Sequence, residues 1–218
     1  MTTISLRRYT TLPFLLDILN KKRLTLLDPK NWEDKNDSYY IELYKKSLGL
    51  KSILVLCFAE SVERYHHWKI YSGSLNGVCI EFRKDKLLEC LNVSGIRTDY
   101  VQYKTFDEVR KEQLAIYQFS FMKRYAFEDE REFRIIYEDR IHEFASKDFK
   151  ISVNSINRII FNPWMPESVY NSIKQIVKNI EGCKKIKVMR TTLVDNKKWK
   201  RMGEEVFRLS VKPRNLQK

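Results

Sequence analysis

The sequence predicts an α+β fold in one domain that spans residues 1–218. Short apolar runs typical of strands mix with helical patterns, without the strict strand–helix–strand order of a parallel sheet. The chain is 43% hydrophobic and 13% aromatic, which is enough for a sizeable core. It has 6 glycines and 5 prolines, so no linker-rich stretch divides it. We therefore expect one core that all elements share.

Local signals place the elements in order. Thr11 can cap a first helix, because Pro13 follows just inside the first turn. The run 52–58 is the most apolar and predicts a central, buried strand. The expected strands are 4–10, 23–27, 52–58, 77–82, 98–103, 132–137, 149–153, 158–161, 185–190 and 205–209. The expected helices are 12–20, 38–48, a short one that follows a loop within 59–71, 84–91, 106–123 and one after Pro166. Residues 28–37 are expected to form a polar surface loop.

The charge balance indicates a polyanionic partner. There are 41 Lys and Arg against 28 Asp and Glu, a formal net charge of +13. This excess favours contact with nucleic acid first, and with an acidic membrane or protein second. The alternative is a lysine-rich surface that only meets solvent.

The cysteines and the hydropathy pattern point to the cytoplasm. The four cysteines are widely spaced and form no CxxC pair, which is typical of free thiols in a reducing compartment. No apolar run has the length of a membrane span, and no signal-peptide core follows Met1. We therefore expect a cytoplasmic protein with no membrane partner.

Common catalytic motifs are missing. His66 and His67 stand near Glu60 and Glu63, but without the HExxH spacing of a zinc site they predict a polar helix surface. The sequence contains no Walker loop, no GxGxxG and no GxSxG. We therefore expect no metal.

A charged run, 128–132, precedes the strand 132–137. Glu130 and Glu132 are two residues apart, so they share a side if the strand has begun. Such a pair raises each member's proton affinity unless Arg131 or Arg134 offsets it. The pair suits general-base work or stabilisation of an oxocarbenium-like centre. A solvated charge ladder is the alternative interpretation.

Basic and aromatic residues could line a site with these acids. Arg7 and Arg8 are adjacent on a strand, so they point to opposite faces and one can reach a cleft to bind phosphate. Trp68 and Tyr71 share one face of a helix. They either pack into the core or stack on nicotinamide or a nucleobase.

Three segments taken together resemble the ADP-ribosyltransferase superfamily. Residues 6–11, followed by the helix 12–20 and by 22–24, resemble the start of DarT-type toxins. The segment 55–59 and the aromatic residues after it are similar to a strand and loop of the PARP class. Residues 130–134 resemble the E-x-E entrance to the catalytic strand. The resemblance implies an ADP-ribosyltransferase-like fold, with a mixed, mostly antiparallel sheet and peripheral helices.

The same resemblance implies NAD as the substrate. A histidine or arginine on the first strand binds NAD in DarT-type toxins, and Arg8 takes that place, with Tyr9 and Thr10 beside it. Lys21 and Lys22 stand where those toxins have a glycine. The candidates for the aromatic residue that stacks on nicotinamide are Tyr65, Trp68 and Tyr71.

The whole chain also resembles a broad bacterial family of unknown function. Its members combine the motifs YRY, NDPFE, W-x-x-Y, GVCIEF and E-x-E-x-R. The corresponding residues here are Arg8-Tyr9, Asn36-Asp37, Trp68 to Tyr71, 77–82 and 130–134.

The resemblance assigns roles to the two acids. Glu132 takes the place of the glutamate that orients the ribose and steadies the developing cation, and Glu130 positions the acceptor. We therefore expect an NAD-dependent ADP-ribosyltransferase that modifies RNA or DNA. It would be a toxin of a bacterial toxin–antitoxin or phage-defence system, with an antitoxin as a further partner. The alternative is a non-catalytic module that binds nucleic acid or docks a partner.

Overall fold

The most apolar run of the sequence is the centre of the sheet. A computed structural model describes residues 4–72 and 75–211, and in it the central strand β3 is Ser52–Ala59. Leu54, Leu56 and Phe58 point to one face and Ile53 and Val55 to the other, and all five are at most 3% exposed. Burial on both faces explains why polar residues do not alternate in this run.

The remaining elements follow in chain order. The other strands are β1 (Ser5–Thr11), β2 (Arg23–Leu27), β4 (Gly77–Arg83), β5 (Ile96–Tyr100), β6 (Gln102–Lys104), β7 (Met122–Arg124), β8 (Glu132–Asp139), β9 (Ser146–Lys150), β10 (Ile156–Phe161) and β11 (Lys187–Arg190). The helices are α1 (Leu12–Lys21), α2 (Lys35–Ser47), α3 (Tyr65–Tyr71), α4 (Lys84–Cys90), α5 (Phe106–Lys111), α6 (Glu167–Asn179) and α7 (Lys197–Val211).

Within the described residues, nine strands form one sheet, in which β10 and β11 are parallel and the other pairs antiparallel. The α+β fold with a mostly antiparallel sheet and peripheral helices is therefore confirmed. The boundaries of a single domain over 1–218 stay a prediction.

The sheet splits along one edge of β3. The other edge pairs with β8 along the whole strand. On the split edge, β1 pairs with β3 at Arg7 and Ala59, whereas β2 pairs with it at Leu27 and Val55. β1 and β2 thus diverge on either side of Cys57. This divergence opens the sheet at the strand ends that carry the predicted site residues.

Helices cover the two faces of the sheet unequally. The main core lies under α1, α4 and α6, which contribute Leu15, Leu87 and Val177. On the opposite face, α2 packs Ile41 against β3 and β8, and α3 packs Trp68 against β1, β4 and β10. The cleft described below opens between α2 and α3.

Three predicted elements differ in the structure. Of the expected strand 149–153, only residues 149 and 150 lie in β9, and Val153 begins a 3-10 turn. The expected helix 106–123 ends at Lys111, because α5 has no buried residue to hold a longer helix against the body. The chain continues as a 3-10 turn (Ile116–Phe121) and β7. The expected strand 205–209 lies inside α7, whose apolar residues at 199, 202 and 206 follow a helical spacing.

The expected surface loop 28–37 is also partly wrong. It contains a 3-10 turn (Pro29–Asn31) and the start of α2, and Asp37 is only 2% exposed. Asp34 caps α2 by accepting hydrogen bonds from the backbone N–H groups of Asn36 and Asp37. No helix among the described residues is long and apolar enough to cross a membrane.

Candidate active site

The split in the sheet is the mouth of a cleft of about 890 Å³. Residues from five regions of the chain line it: β1, the segment 32–37 at the start of α2, the end of β3, the end of α3, and the segment 123–132 that leads into β8. The predicted site residues that line it are Arg8, Tyr9, Tyr71, Glu130 and Glu132. The fold therefore brings together side chains that are more than a hundred positions apart in sequence.

Glu132 is the first residue of β8 and lies deep in the cleft wall. Its neighbour across the sheet is Ala59 at the end of β3. Its backbone N–H donates to the hydroxyl oxygen of Tyr103 at 2.8 Å, and the residue is 5% exposed. Its carboxylate accepts two hydrogen bonds from Arg134, from Nε at 2.7 Å and from Nη2 at 3.1 Å.

Arg134 holds a second carboxylate with the rest of its guanidinium. It is fully buried and donates to Asp37 at 3.0 and 2.8 Å and to the carbonyl of Ser120 at 3.0 Å. The planar guanidinium thus joins β8 to the N-terminal turn of α2 through two bidentate contacts. Sequence reasoning did not select Asp37 or Arg134 as site residues, although both lie in motifs of the resembling bacterial family.

The ion pair with Arg134 keeps the carboxylate of Glu132 ionised. Burial by itself raises the pKa of a carboxyl group, but the adjacent guanidinium of Arg134 outweighs it, and the pKa of Glu132 lies below its ordinary value. For Asp37 burial dominates, and its pKa is raised. Of the two carboxylates on Arg134, Glu132 is therefore the one held firmly in its charged form.

Lys123 links the two predicted acids. Its ammonium lies 2.7 Å from Glu130, 3.7 Å from Glu132 and 3.9 Å from Asp37. Lys123 was also missed at the sequence level, because nothing near it in the chain marks it. Three carboxylates meet two cations, so this wall of the cleft carries one formal negative charge.

A turn, and not strand alternation, brings Glu130 beside Glu132. β8 begins at Glu132, whereas Glu130 ends the 3-10 turn Tyr125–Glu130. Arg131, between them, has φ 43° and ψ 55°, a left-handed conformation that is uncommon outside glycine. This left-handed turn at Arg131 lets the carboxylates of both Glu130 and Glu132 reach the cleft.

Arg8 faces the cleft without a carboxylate partner. Arg7 also belongs to the cleft lining, but its guanidinium pairs with Glu81 at 2.9 Å. Arg8 donates to the carbonyl of Cys57 at 3.1 Å, at the point where β1 and β2 diverge. Among the described residues no acid lies within ion-pair distance of Arg8, and burial lowers the pKa of its guanidinium. A cation in such a place is suited to an anionic ligand.

Two of the aromatic candidates, Tyr71 and Trp68, differ in how far their side chains are exposed. Tyr71 is 39% exposed at the cleft and lies 6.3 Å from the ring of Tyr9. Burial and then the charge of Glu130 raise the pKa of Tyr71 well above its ordinary value. Trp68 is 1% exposed and donates from its indole N–H to Glu63 at 2.8 Å. Tyr71 can therefore stack on a ligand, whereas Trp68 is enclosed in the protein.

The two remaining residues singled out on the sequence lie elsewhere. Thr10 is 9% exposed, pairs with Val78 in the sheet and is not part of the cleft lining. Tyr65 is exposed and packs its ring against Trp164 at 5.7 Å. Within residues 4–72 and 75–211, no three His, Cys, Asp or Glu side chains are placed to hold a metal ion.

Comparisons with known proteins agree in part with the sequence resemblances. Residues 67–135 match a family model described as a protein of unknown function, DUF2971. This segment contains α3 from its third residue onward, the acids Glu130 and Glu132, and Arg134. No curated protein matches the chain in sequence.

Among solved structures, the chain is similar to Thermus sp. 2.9 DarT. The complex of that protein with NAD+ gives a TM-score of 0.46 at 11% identity, covering 88% of this chain and 96% of DarT. Its complex with ADP-ribosylated ssDNA gives 0.46 at 11%, covering 88% and 95%. Both resemblances expected from the sequence thus recur.

Proposed function

We propose that this protein is an NAD-dependent ADP-ribosyltransferase that modifies a nucleic acid. The observation that carries the proposal is the convergence of Arg8, Tyr71 and Glu132 on one cleft. Arg8 is a cation without an acidic partner among the described residues. Glu132 sits in a wall with one formal negative charge. The cleft thus offers opposite charges to two parts of one ligand.

NAD fits this division of charge. Its pyrophosphate is anionic and would bind Arg8 through charge-assisted hydrogen bonds. Its nicotinamide ring is a flat cation and would stack on Tyr71, with Tyr9 behind it. The ribose that joins them would then lie near Glu132. The cleft volume of about 890 Å³ is within the range of small-molecule sites.

The chemistry follows from the carboxylates. The bond between the nicotinamide nitrogen and ribose C1′ breaks, and neutral nicotinamide leaves with the electron pair. Positive charge develops on the ribose, where the fixed negative charge of Glu132 stabilises it. A nucleophilic atom of the acceptor then bonds to C1′. Glu130, at the cleft edge, positions the acceptor and takes its proton.

The acceptor is assigned from charge. A net charge of +13 favours DNA or RNA over an acidic protein. One similar structure is described as DarT in complex with ADP-ribosylated ssDNA, which is a statement about that protein. We further propose a toxin of a toxin–antitoxin or phage-defence system, acting in the cytoplasm and held in check by an antitoxin protein.

The proposal is tested with NAD labelled in its adenylate half. The protein is incubated with this substrate and separate pools of RNA, single-stranded DNA and protein. We expect label on a nucleic acid, and a loss of at least about a hundredfold in Glu132→Gln, since one transition-state electrostatic contact contributes roughly that much. Glu204→Gln, on the exposed surface of α7, is the matched control. No labelling by the wild type, or equal labelling by Glu132→Gln, would overturn it.

One observation favours the alternative of a non-catalytic nucleic-acid-binding module. Both carboxylate oxygens of Glu132 already accept from Arg134, and the residue is 5% exposed. Such a module would bind nucleic acid with strong salt dependence, and Glu130→Gln and Glu132→Gln would not change that binding. Parallel binding and labelling assays therefore separate the two functions.

A further inference from the structure

The last described helix, α7, exposes large apolar side chains. Trp199 is 76% exposed, Phe207 68% and Met202 48%. Among the described residues, none of the three hydrophobic core clusters includes a residue of α7. An isolated helix of about 15 residues is only marginally stable in water, because helices gain most of their stability by packing an apolar face. The apolar face of α7 is therefore suited to a partner outside this fold.

One lysine lies at each edge of this apolar face. At 100° per residue, Trp199, Met202 and Phe207 fall within an arc of about 140°. Lys198 and Lys200 fall on either side of Trp199, each about 100° away from it. The other basic residues of the helix, on the side away from Trp199, are Lys197, Arg201 and Arg208. Glu205 falls beside Lys198, about 120° from Trp199, and the exposed Lys200 pairs with Asp195 at 2.7 Å. The helix is thus apolar on one side with one lysine at each border, and its five basic residues outnumber its two acids.

This arrangement matches a helix that lies in the plane of a membrane surface. Such helices bury Trp and Phe at the boundary between headgroups and acyl chains and keep Lys and Arg on the polar side. Lysines at the borders can extend their ammonium groups to lipid phosphates while their stems cover apolar surface. Asn196 accepts a hydrogen bond from the backbone N–H of Trp199 at 3.0 Å, which fixes the start of the helix before any partner arrives.

A second copy of the chain is a poorer occupant. Each copy carries a net charge of +13, so two copies repel each other. A stable interface needs about 800 Å² from each partner, more than one face of a 15-residue helix supplies. An anionic lipid surface carries the opposite charge, and an amphipathic helix binds in it without an interface of that size.

We propose that α7 binds an anionic membrane surface, with Trp199, Met202 and Phe207 inserted at the headgroup boundary and Lys198 and Lys200 against lipid phosphates. The described residues contain no helix that could cross a membrane, which is compatible with this, since α7 would lie on the bilayer and not cross it. The proposal departs from the expectation of no membrane partner, which stays a prediction. The proposal does not depend on transferase activity.

The test is co-sedimentation of the full chain with vesicles. We expect binding to vesicles of phosphatidylglycerol and phosphatidylcholine in equal amounts, and little binding to phosphatidylcholine alone. The variant Lys198→Ala/Lys200→Ala should bind about 25-fold more weakly, from roughly fivefold for each lysine near an anionic surface. Its control is Lys184→Ala/Lys185→Ala, a pair of exposed lysines outside α7.

A second variant tests insertion. Trp199→Ser/Phe207→Ser should abolish binding, whereas Phe14→Ser/Ile141→Ser, at positions 64% and 78% exposed elsewhere, should not. Circular dichroism checks that each variant remains folded, and the α7 positions lie outside the core clusters. Vesicle binding that the α7 variants leave intact, or no vesicle binding by the wild type, overturns the proposal. Self-association lost in Trp199→Ser/Phe207→Ser, without lipid binding, would assign the face to a second copy instead.

Discussion

Arg134 and Asp37 are 97 positions apart in the sequence and form a buried, bidentate ion pair at 3.0 and 2.8 Å. The same guanidinium holds Glu132. The pair fixes the N-terminal turn of α2 to the start of β8, and those two elements form one wall of the cleft. The position of Glu132 is therefore set by a residue of α2 as well as by its own strand.

Breaking the ion pair between Arg134 and Asp37 should destabilise the folded protein. We expect Arg134→Met to lower the free energy of unfolding by about 3–5 kcal/mol, because Asp37 and Glu132 would remain buried without a cation. Urea denaturation measures the change. Arg110→Met, whose side chain is 80% exposed, should change it by less than about 0.5 kcal/mol. An Arg134→Met variant as stable as the wild type would show that the contacts of Arg134 with Asp37 and Glu132 do not stabilise this wall of the cleft.

Arg8 should matter for ligand affinity more than for folding. Replacing it with Gln removes charge-assisted hydrogen bonds of about 1.5–3 kcal/mol, or roughly 10- to 150-fold in the Kd for NAD. Isothermal titration calorimetry with NAD measures this, and Arg208→Gln on α7 is the control. Unchanged affinity in Arg8→Gln would move the phosphate site away from β1.

Tyr71 and Trp68 of α3 should differ in their effects on binding and on stability. Tyr71→Ala should weaken NAD binding by about 1–3 kcal/mol, the usual contribution of one stacking contact, and leave stability nearly unchanged. Trp68→Ala should cost about 3–5 kcal/mol of stability, since it empties a site that is 1% exposed. Calorimetric binding and thermal unfolding of both variants check this. Strong loss of NAD binding in a folded Trp68 variant would contradict the assignment to Tyr71.

His67 should make the fold sensitive to mild acid. Burial, and then the neighbouring His66, lowers the pKa of His67 from 6.5 to about 4. The unfolded chain therefore binds the proton first, and stability that is complete above pH 6.5 is lost as the pH falls toward 4. The loss amounts to about 3 kcal/mol at most.

The variant His67→Asn isolates this contribution. Its unfolding free energy should depend less on pH than that of the wild type between pH 7 and 4. His142→Asn is the control, because the side chain of His142 is 65% exposed. If His67→Asn keeps the full acid sensitivity, carboxyl groups and not this histidine cause it.

The fold class, most strands and the catalytic candidate were readable from the sequence. The run 52–58 predicted β3 because its burial on both faces demands an unbroken apolar stretch. The charged run ahead of β8 singled out Glu130 and Glu132 because two carboxylates so close in sequence suit general-base work or cation stabilisation, although a solvated charge ladder would have the same sequence. Arg8 and Tyr71 were selected by resemblance and by spacing, which are also local signals.

Only the tertiary structure decided which of these residues meet. The choice between Trp68 and Tyr71 depends on which of two residues on one helix the sheet covers, and a helical spacing contains no such information. Asp37 and Lys123 look like ordinary surface charges until the fold buries them against Arg134 and Glu132. The end of α5 and the helical state of 205–209 were likewise decided by long-range packing or its absence. Local patterns fix which side chains are chemically capable, whereas burial and opposing charges from distant segments fix where they act.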